Sequence, residues 1–165
     1  MQTLIANIER EFLDVIGPPM ITLSVARGLD DHREEELEAL AREQSHHTHW
    51  KYVTKVEMSK YTDTWAFMDC EAFRFYLPAF MVDTLTSCLD QLASVPAWMD
   101  VGFYNPQPHL VECFSAGQKR CLLDFLELVH ASITDEFDKG YFRQNVLQRW
   151  KNILVCRANQ TATKP

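Results

Sequence analysis

The sequence predicts a mainly α fold: a compact single-domain bundle of about five to six helices with long irregular connections and at most a short strand pair. Three observations predict it. Apolar residues recur at spacings of three and four along most of the chain. Glycine and proline interrupt these runs at a few defined places. Ser115-Ala116-Gly117-Gln118 has the form of a capping box, in which a serine and a glutamine three residues later satisfy backbone N–H groups at a helix start. The chain has 165 residues, 47% of them hydrophobic, so it can bury a core as one domain. That domain is expected over 1–158, with the polar segment 159–165 as a disordered tail.

Leu4, Ile5, Ile8, Phe12 and Ile16 share one helical face, and Gly17-Pro18-Pro19 stops the pattern. Leu23, Ala26 and Leu29 open a second helical segment containing Gly28, and Leu37, Leu40 and Ala41 carry a third, strongly acidic one. From Gln44 to Thr64 the periodicity fades, and the stretch reads as a loop with at most a short strand near Lys51–Val56. Asp69 is placed to cap a new helix, with Glu71 adding negative charge to its first turn. The apolar face Phe73, Leu77, Phe80, Met81, Leu85, Cys88 and Leu92 then runs straight across Pro78, which predicts a kink or a tight helix-to-helix junction. Val95 to Cys113 reads as a long connection packed down by Trp98, Phe103 and Tyr104. Two amphipathic helices follow, one carrying Cys121, Leu122, Phe125, Leu126, Val129 and Ile133, the other Phe142, Val146, Leu147, Trp150, Ile153 and Leu154.

The formal charge is -7, which disfavours a nucleic-acid coat because phosphate binding needs a basic face. Five cysteines, Cys70, Cys88, Cys113, Cys121 and Cys156, are odd in number and show no C-x-x-C spacing, so they are expected to be reduced core residues in a cytoplasmic protein. No charged leader precedes an apolar block, and no apolar run approaches the roughly 18 residues of a membrane span. A soluble, cytoplasmic protein is the expectation. The scattered glycines form no phosphate-cradling loop, and neither G-x-S-x-G nor H-E-x-x-H occurs. No cofactor is expected.

His46, His47 and His49 make the most metal-like grouping, since imidazoles can ligate zinc. Their spacing lacks the helical i, i+4 pairing, and an exposed polar turn is the commoner outcome. Asp30 and Asp31 could perturb one another's ionisation and do acid–base work if partly buried, but Arg27 one turn earlier makes a local ion pair the plainer expectation. Arg74 and Tyr76 lie inside the aromatic run, where an arginine either pairs structurally or lines a site. Glu34, Glu35 and Glu38 form part of an acidic face, which is ordinarily a solvated helix surface and also steers basic partners.

Taken in order, Ile21-Thr22-Leu23, Ala26-Arg27, Asp30-Asp31, Trp50, Phe67-x-Asp69-x-Glu71-Ala72-Phe73-Arg74-Phe75-Tyr76-Leu77-Pro78-Ala79-Phe80-Met81 and Phe114-Ser115-x-x-Gln118 resemble domain-of-unknown-function family 6714, an uncharacterised bacterial family. The resemblance runs from the first helix to Trp150, and Phe73-Arg74-Phe75-Tyr76-Leu77-Pro78-Ala79 is its most specific part. Asp100 to Pro106 follows no pattern that can be matched to it. The resemblance implies a small, soluble, mostly helical bacterial domain and brings no catalytic residues with it.

The leading expectation is therefore a protein-protein interaction module, of the immunity-inhibitor kind by analogy of size and acidity. Glu34, Glu35 and Glu38 together with Trp98, Phe103 and Tyr104 are its candidate partner surface, because charge steers encounter and aromatics anchor it. The alternatives are an enzyme whose site gathers Asp30, Asp31, Arg74 and Tyr76, and a metal-binding module built on His46, His47 and His49.

Overall fold

The computed structural model describes residues 1–43, 47–87, 92, 95–104 and 106–156. Among these residues the regular structure is helical apart from one isolated antiparallel bridge, Ile16 to His49, within the expected bound of at most a short strand pair. Helix α1, Gln2–Glu11, buries Leu4 and Ile8, and the chain continues through the fully buried Phe12. The connection that follows contains a cis Gly17-Pro18 bond. Gly17 passes directly over the Phe75 ring, leaving no room for a Cβ atom.

Helix α2, Leu23–Asp30, starts where Thr22 Oγ1 accepts from the Val25 N–H. It ends with the Arg33 N–H donating to the Gly28 carbonyl at 2.8 Å and the His32 N–H to Leu29 at 3.3 Å. His32 takes the left-handed conformation, φ 55°, usually left to glycine at this position. Asp30 and Asp31 therefore close one helix instead of joining two. A short 3-10 turn, Glu34–Glu36, leads into α3, Leu37–Glu43, which packs back on α2. Gly28 is at that contact, where a Cβ would overlap Leu40.

The region from Gln44 to Thr64 is more helical than expected. After residues 44–46, which lie outside the described part, a 3-10 turn spans Trp50–Tyr52 and α4 spans Lys55–Lys60. A second capping box explains α4: Thr54 Oγ1 accepts from the Glu57 N–H, and the Glu57 carboxylate accepts from the Thr54 N–H at 2.9 Å. This local pairing outweighs the β propensity of Val53, Thr54 and Val56. A further 3-10 turn, Thr64–Phe67, brings Trp65 into the core with no exposed surface.

Helix α5, Cys70–Ser87, begins as predicted, with Asp69 Oδ1 accepting from the Ala72 N–H at 2.8 Å. It runs unbroken past Pro78, so of the kink or helix-to-helix junction expected there, the junction does not occur. Every residue from Phe75 to Met81 is buried, which is the condition of a helix enclosed on all sides and not of one with a single apolar face. Surrounding elements, instead of the helix's own ladder alone, offset the hydrogen bond that Pro78 removes.

The long connection expected from Val95 to Cys113 holds α6, Ala97–Gly102, and a 3-10 turn, Pro108–Val111. Helix α7, Ala116–Ser132, has the predicted capping box of Ser115 and Gln118. Asp135 caps α8, Glu136–Phe142, which passes through a π-helical stretch, Arg143–Leu147, into α9, Gln148–Cys156. The helical segments thus outnumber the five or six expected, because the connections themselves coil. The proposed tail, 159–165, lies outside the described residues.

Buried residues from Leu4 to Leu154 form one hydrophobic cluster. Phe73 is at its centre. Its ring meets Trp65 at 5.5 Å, Phe103 at 5.9 Å, Phe114 at 5.9 Å and Trp150 at 5.9 Å, the last stacked nearly parallel.

The expectation of five reduced cysteines is overturned: Cys70 and Cys113 form a disulfide across 43 residues of sequence, with Cα atoms 6.1 Å apart. The bond ties the start of α5 to the segment after the 3-10 turn, a proximity created by folding and invisible in spacing. It also removes the ground for expecting a reducing compartment. Cys121 is buried and free, while Cys88 lies outside the described residues.

Two outcomes follow from this packing. Phe73→Ala is expected to destabilise the fold by about 3–5 kcal/mol in urea unfolding, because it empties a site that rings from several elements share. Replacing both Cys70 and Cys113 by serine, or reducing the bond, is expected to lower stability by about 2–4 kcal/mol through the freed loop, read as a drop in the unfolding midpoint.

Candidate functional site

The acidic residues singled out in the sequence fall on one surface. Glu34, Glu35, Glu36 and Glu38 are exposed along the 3-10 turn and α3, next to exposed Asp31 and half-buried Asp30. Arg33 pairs with Glu36, and Arg42 with Glu38 at 3.4 Å. The Arg33 guanidinium holds the Glu36 carboxyl below its ordinary value. Arg27 does not pair with Asp30 or Asp31 as expected. It reaches across to Asp63, with a longer contact to the Lys60 carbonyl at 3.5 Å. Asp31 lines a hollow of about 340 Å³ with Ser24, Arg27, Arg33, Leu40, Lys60 and Tyr61.

Arg74 and Tyr76 face different surroundings. Arg74 Nε donates to Gln118 Oε1 at 3.1 Å, and its Nη1 is 3.8 Å from Glu71. Tyr76 is fully buried, its hydroxyl beside the Leu23 backbone without a hydrogen bond of ordinary geometry. Burial raises its ionisation strongly above the usual tyrosine range. The four residues considered for catalysis thus have different neighbours: Asp31 lines the hollow, Asp30 ends α2, Arg74 binds the cap of α7 and Tyr76 is sealed in the core.

The histidines are likewise separated in role. His47 is buried, with Nε2 3.1 Å from Glu57 Oε1. His49 Nδ1 accepts from the Lys51 N–H at 3.2 Å, which leaves its Nε2 to donate to the Leu13 carbonyl, also at 3.2 Å. His46 lies outside the described residues. Among the described residues no group of three histidine, cysteine, aspartate or glutamate side chains is placed to hold a metal ion.

Of the aromatic anchors expected in the connection, Trp98 and Phe103 are core residues. Trp98 Nε1 donates to Thr84 Oγ1 at 3.0 Å while its ring packs on Trp65, Phe80, Phe103 and Phe125. Tyr104 is half-buried, its ring 5.0 Å from Tyr141. The physical reason is size: large rings carry the most apolar area to bury in a small domain, and Trp98 also finds a partner for its indole N–H.

One surface feature escaped the sequence. Trp50, Val53, Met58, Ala79 and Val82 floor a groove of about 340 Å³ between α1, the Trp50 turn, α4 and α5. Ion pairs rim it: Lys51 to Glu9 at 2.9 Å and Lys55 to Asp83 at 3.0 Å. Lys55 also donates to Ser87 Oγ at 2.6 Å. Lys51 lies 5.4 Å from the Trp50 ring centre, an added cation–π contact. The floor is assembled from three stretches of sequence, so no local motif announces it.

At the opposite end of the chain His130 stacks on Phe142 at 6.4 Å. Burial holds its ionisation below the ordinary value, and the positive charges of Lys139, Arg143 and Lys151 add to the effect. Burial likewise pushes the Cys121 thiol up to about 11, so it remains protonated at neutral pH.

The fold and these surfaces define a mainly α domain with an acidic ridge and a charged-rimmed apolar groove. The chain belongs to the family of unknown function DUF6714, whose family model matches residues 1–154. No curated protein and no solved structure matches it. No helix among the described residues is long and apolar enough to cross a membrane.

The His130 environment has a pH consequence. Because the folded value lies below that of the unfolded chain, the unfolded state binds the proton first as pH falls below about 6.5, and stability drops in that interval. In thermal melts between pH 7.5 and 5.5, His130→Gln is expected to lose less melting temperature than the parent protein. An equal loss would remove His130 as a contributor.

Proposed function

We propose that this protein is a bacterial protein-protein interaction module that recognises a basic partner, in the manner of an immunity-type inhibitor. The observation that carries the reading is the ridge of Glu34, Glu35, Glu36 and Glu38, solvent-facing on consecutive helical turns. Among the described residues Glu34 and Glu35 have no ion pair, so their field extends into solvent. Such a field speeds encounter with an oppositely charged surface and discriminates against acidic ones. The net charge of -7 acts in the same sense. The dispersal of Asp30, Asp31, Arg74 and Tyr76 leaves no observation favouring the enzymatic alternative.

Charge reversal tests the reading. Wild-type protein and the triple variant Glu34→Lys, Glu35→Lys, Glu38→Lys are used as baits in a lysate of the native host at low and at physiological salt. The expected result is a basic protein captured by the wild type, weakened by salt and lost by at least about tenfold with the variant. These positions are exposed, so the variant is expected to melt as the wild type does. Recovery of the same proteins by both baits, or of none by the wild type, would count against the proposal.

A further inference from the structure

Cys70 and Cys113, joined by the disulfide, are both half-buried, and their two sulfurs stand in unlike surroundings. Cys70 is the first residue of the 18-residue helix α5, so its side chain lies at the positive end of the helix. The Cys113 N–H also points at the Cys70 sulfur, 2.9 Å away. Cys113 Sγ has the opposite kind of neighbour, the Cys70 carbonyl oxygen at 3.2 Å. One sulfur faces a donor and the other an acceptor.

We infer that this bond is a thiol–disulfide exchange site, opened by a dithiol reductant that attacks the Cys113 sulfur while Cys70 leaves as the thiolate. A thiolate of the reductant forms a bond to Cys113 Sγ as the bond between the two cysteines breaks, and the bonding pair goes to Cys70. The reductant's second thiolate then attacks its own sulfur in the mixed disulfide, which releases Cys113. The dithiol loses two electrons and becomes a disulfide. Of its two protons, one ends on Cys113 and the other goes to solvent.

The surroundings match these products. A negative Cys70 sulfur is held by the helix terminus and by a charge-assisted hydrogen bond from the Cys113 N–H. A protonated Cys113 donates its S–H to the Cys70 carbonyl. The reverse assignment would set a thiolate against a carbonyl oxygen, and the better-stabilised sulfur is the one that departs. Asp69, Glu71 and Glu112 adjoin the pair in sequence and oppose charge on it. Asp69 already accepts from the Ala72 N–H at 2.8 Å, Glu71 is exposed beside Arg74, and Glu112 is exposed. Water and salt screen the exposed carboxylates, whereas the N–H touches the sulfur directly.

Opening the bond leaves its neighbours in place. Phe114, next to Cys113, keeps its ring 5.9 Å from both Phe12 and Phe73, and its N–H donates to the Val111 carbonyl at 3.3 Å. On the α5 side, Arg74 Nε stays bound to Gln118 at 3.1 Å. None of these contacts passes through the disulfide. Two thiols held this way re-form their bond when the reductant's disulfide is in excess, so the exchange is reversible.

The test uses the oxidised chain at neutral pH without denaturant. Millimolar dithiothreitol is expected to open the bond while circular dichroism still shows a cooperative melt, and oxidised dithiothreitol is expected to close it again. A short, acid-quenched pulse of 2-mercaptoethanol is expected to leave its mixed disulfide on Cys113, read by peptide mass mapping. When the reduced protein is pulsed with iodoacetamide, Cys70 is expected to react at least about tenfold faster than Cys113, since the thiolate is the nucleophile. Cys121, buried and protonated, is the slow internal reference.

Single variants separate the two sulfurs. Cys70 should keep its fast alkylation in Cys113→Ser, which retains the backbone N–H, and Cys113 should alkylate slowly in Cys70→Ser. The wild-type pulses decide the matter even where a serine variant fails to fold. A mixed disulfide on Cys70, or alkylation of Cys113 as fast as that of Cys70, overturns the assignment of the leaving sulfur. A bond that resists the dithiol until denaturant is added, or whose opening abolishes the cooperative melt, overturns the exchange site and leaves a structural cross-link.

Discussion

The fold depends on the packing of rings around Phe73. Trp65 arrives from a 3-10 turn, Phe103 from the end of α6, Phe114 from the residue before the cap of α7, and Trp150 from α9, and all of them close on one side chain of α5. Their polar atoms are mostly satisfied without disturbing the packing: Trp150 donates to the Phe103 carbonyl at 3.1 Å and Trp98 to Thr84 at 3.0 Å. Trp65 Nε1 is the exception, with no hydrogen-bond partner among the described residues. A ring cluster of this kind fixes the relative positions of distant segments because each contact has a preferred geometry as well as buried area.

A polar junction complements it. Gln118 closes its own capping box, accepts from the Ser115 N–H and from Arg74 Nε through the same oxygen, and donates to the Glu11 carbonyl at 2.9 Å. One buried amide thereby links the end of α1, the first turns of α5 and the start of α7. Arg74 belongs to this junction, which accounts for an arginine inside an otherwise apolar run. Beyond exposed Glu71 in its first turn, α5 reaches the surface in its later half, where Ala79, Val82 and Asp83 meet α4 and the Trp50 turn in the groove.

The legible parts of the fold were those written in short-range chemistry. Asp69 and the Ser115–Gln118 pair mark helix starts because their side chains reach only a few residues ahead. Thr54 and Glu57 form the same signal, but Val53, Thr54 and Val56 favour extended backbone and obscured it. The capping partner in turn holds His47, so a reading of the histidines as a loop missed a buried contact. On the surface side, the acidic ridge was visible because charge density is a local property. The groove was not, since its floor joins residues from the Trp50 turn, α4 and α5 that share no spacing rule.

By itself the sequence determined a mainly α chain, the position of its longest helices and an acidic face, since periodicity, capping and charge act over a few residues along the backbone. Only the tertiary structure decided that α5 is buried at every residue from Phe75 to Met81 and continues through Pro78, that Trp98 and Phe103 are core and not anchors, and that Cys70 meets Cys113. Each of these depends on which distant segments come together, and that is settled by the collective packing of large rings in a small volume, to which no single stretch of sequence is a guide.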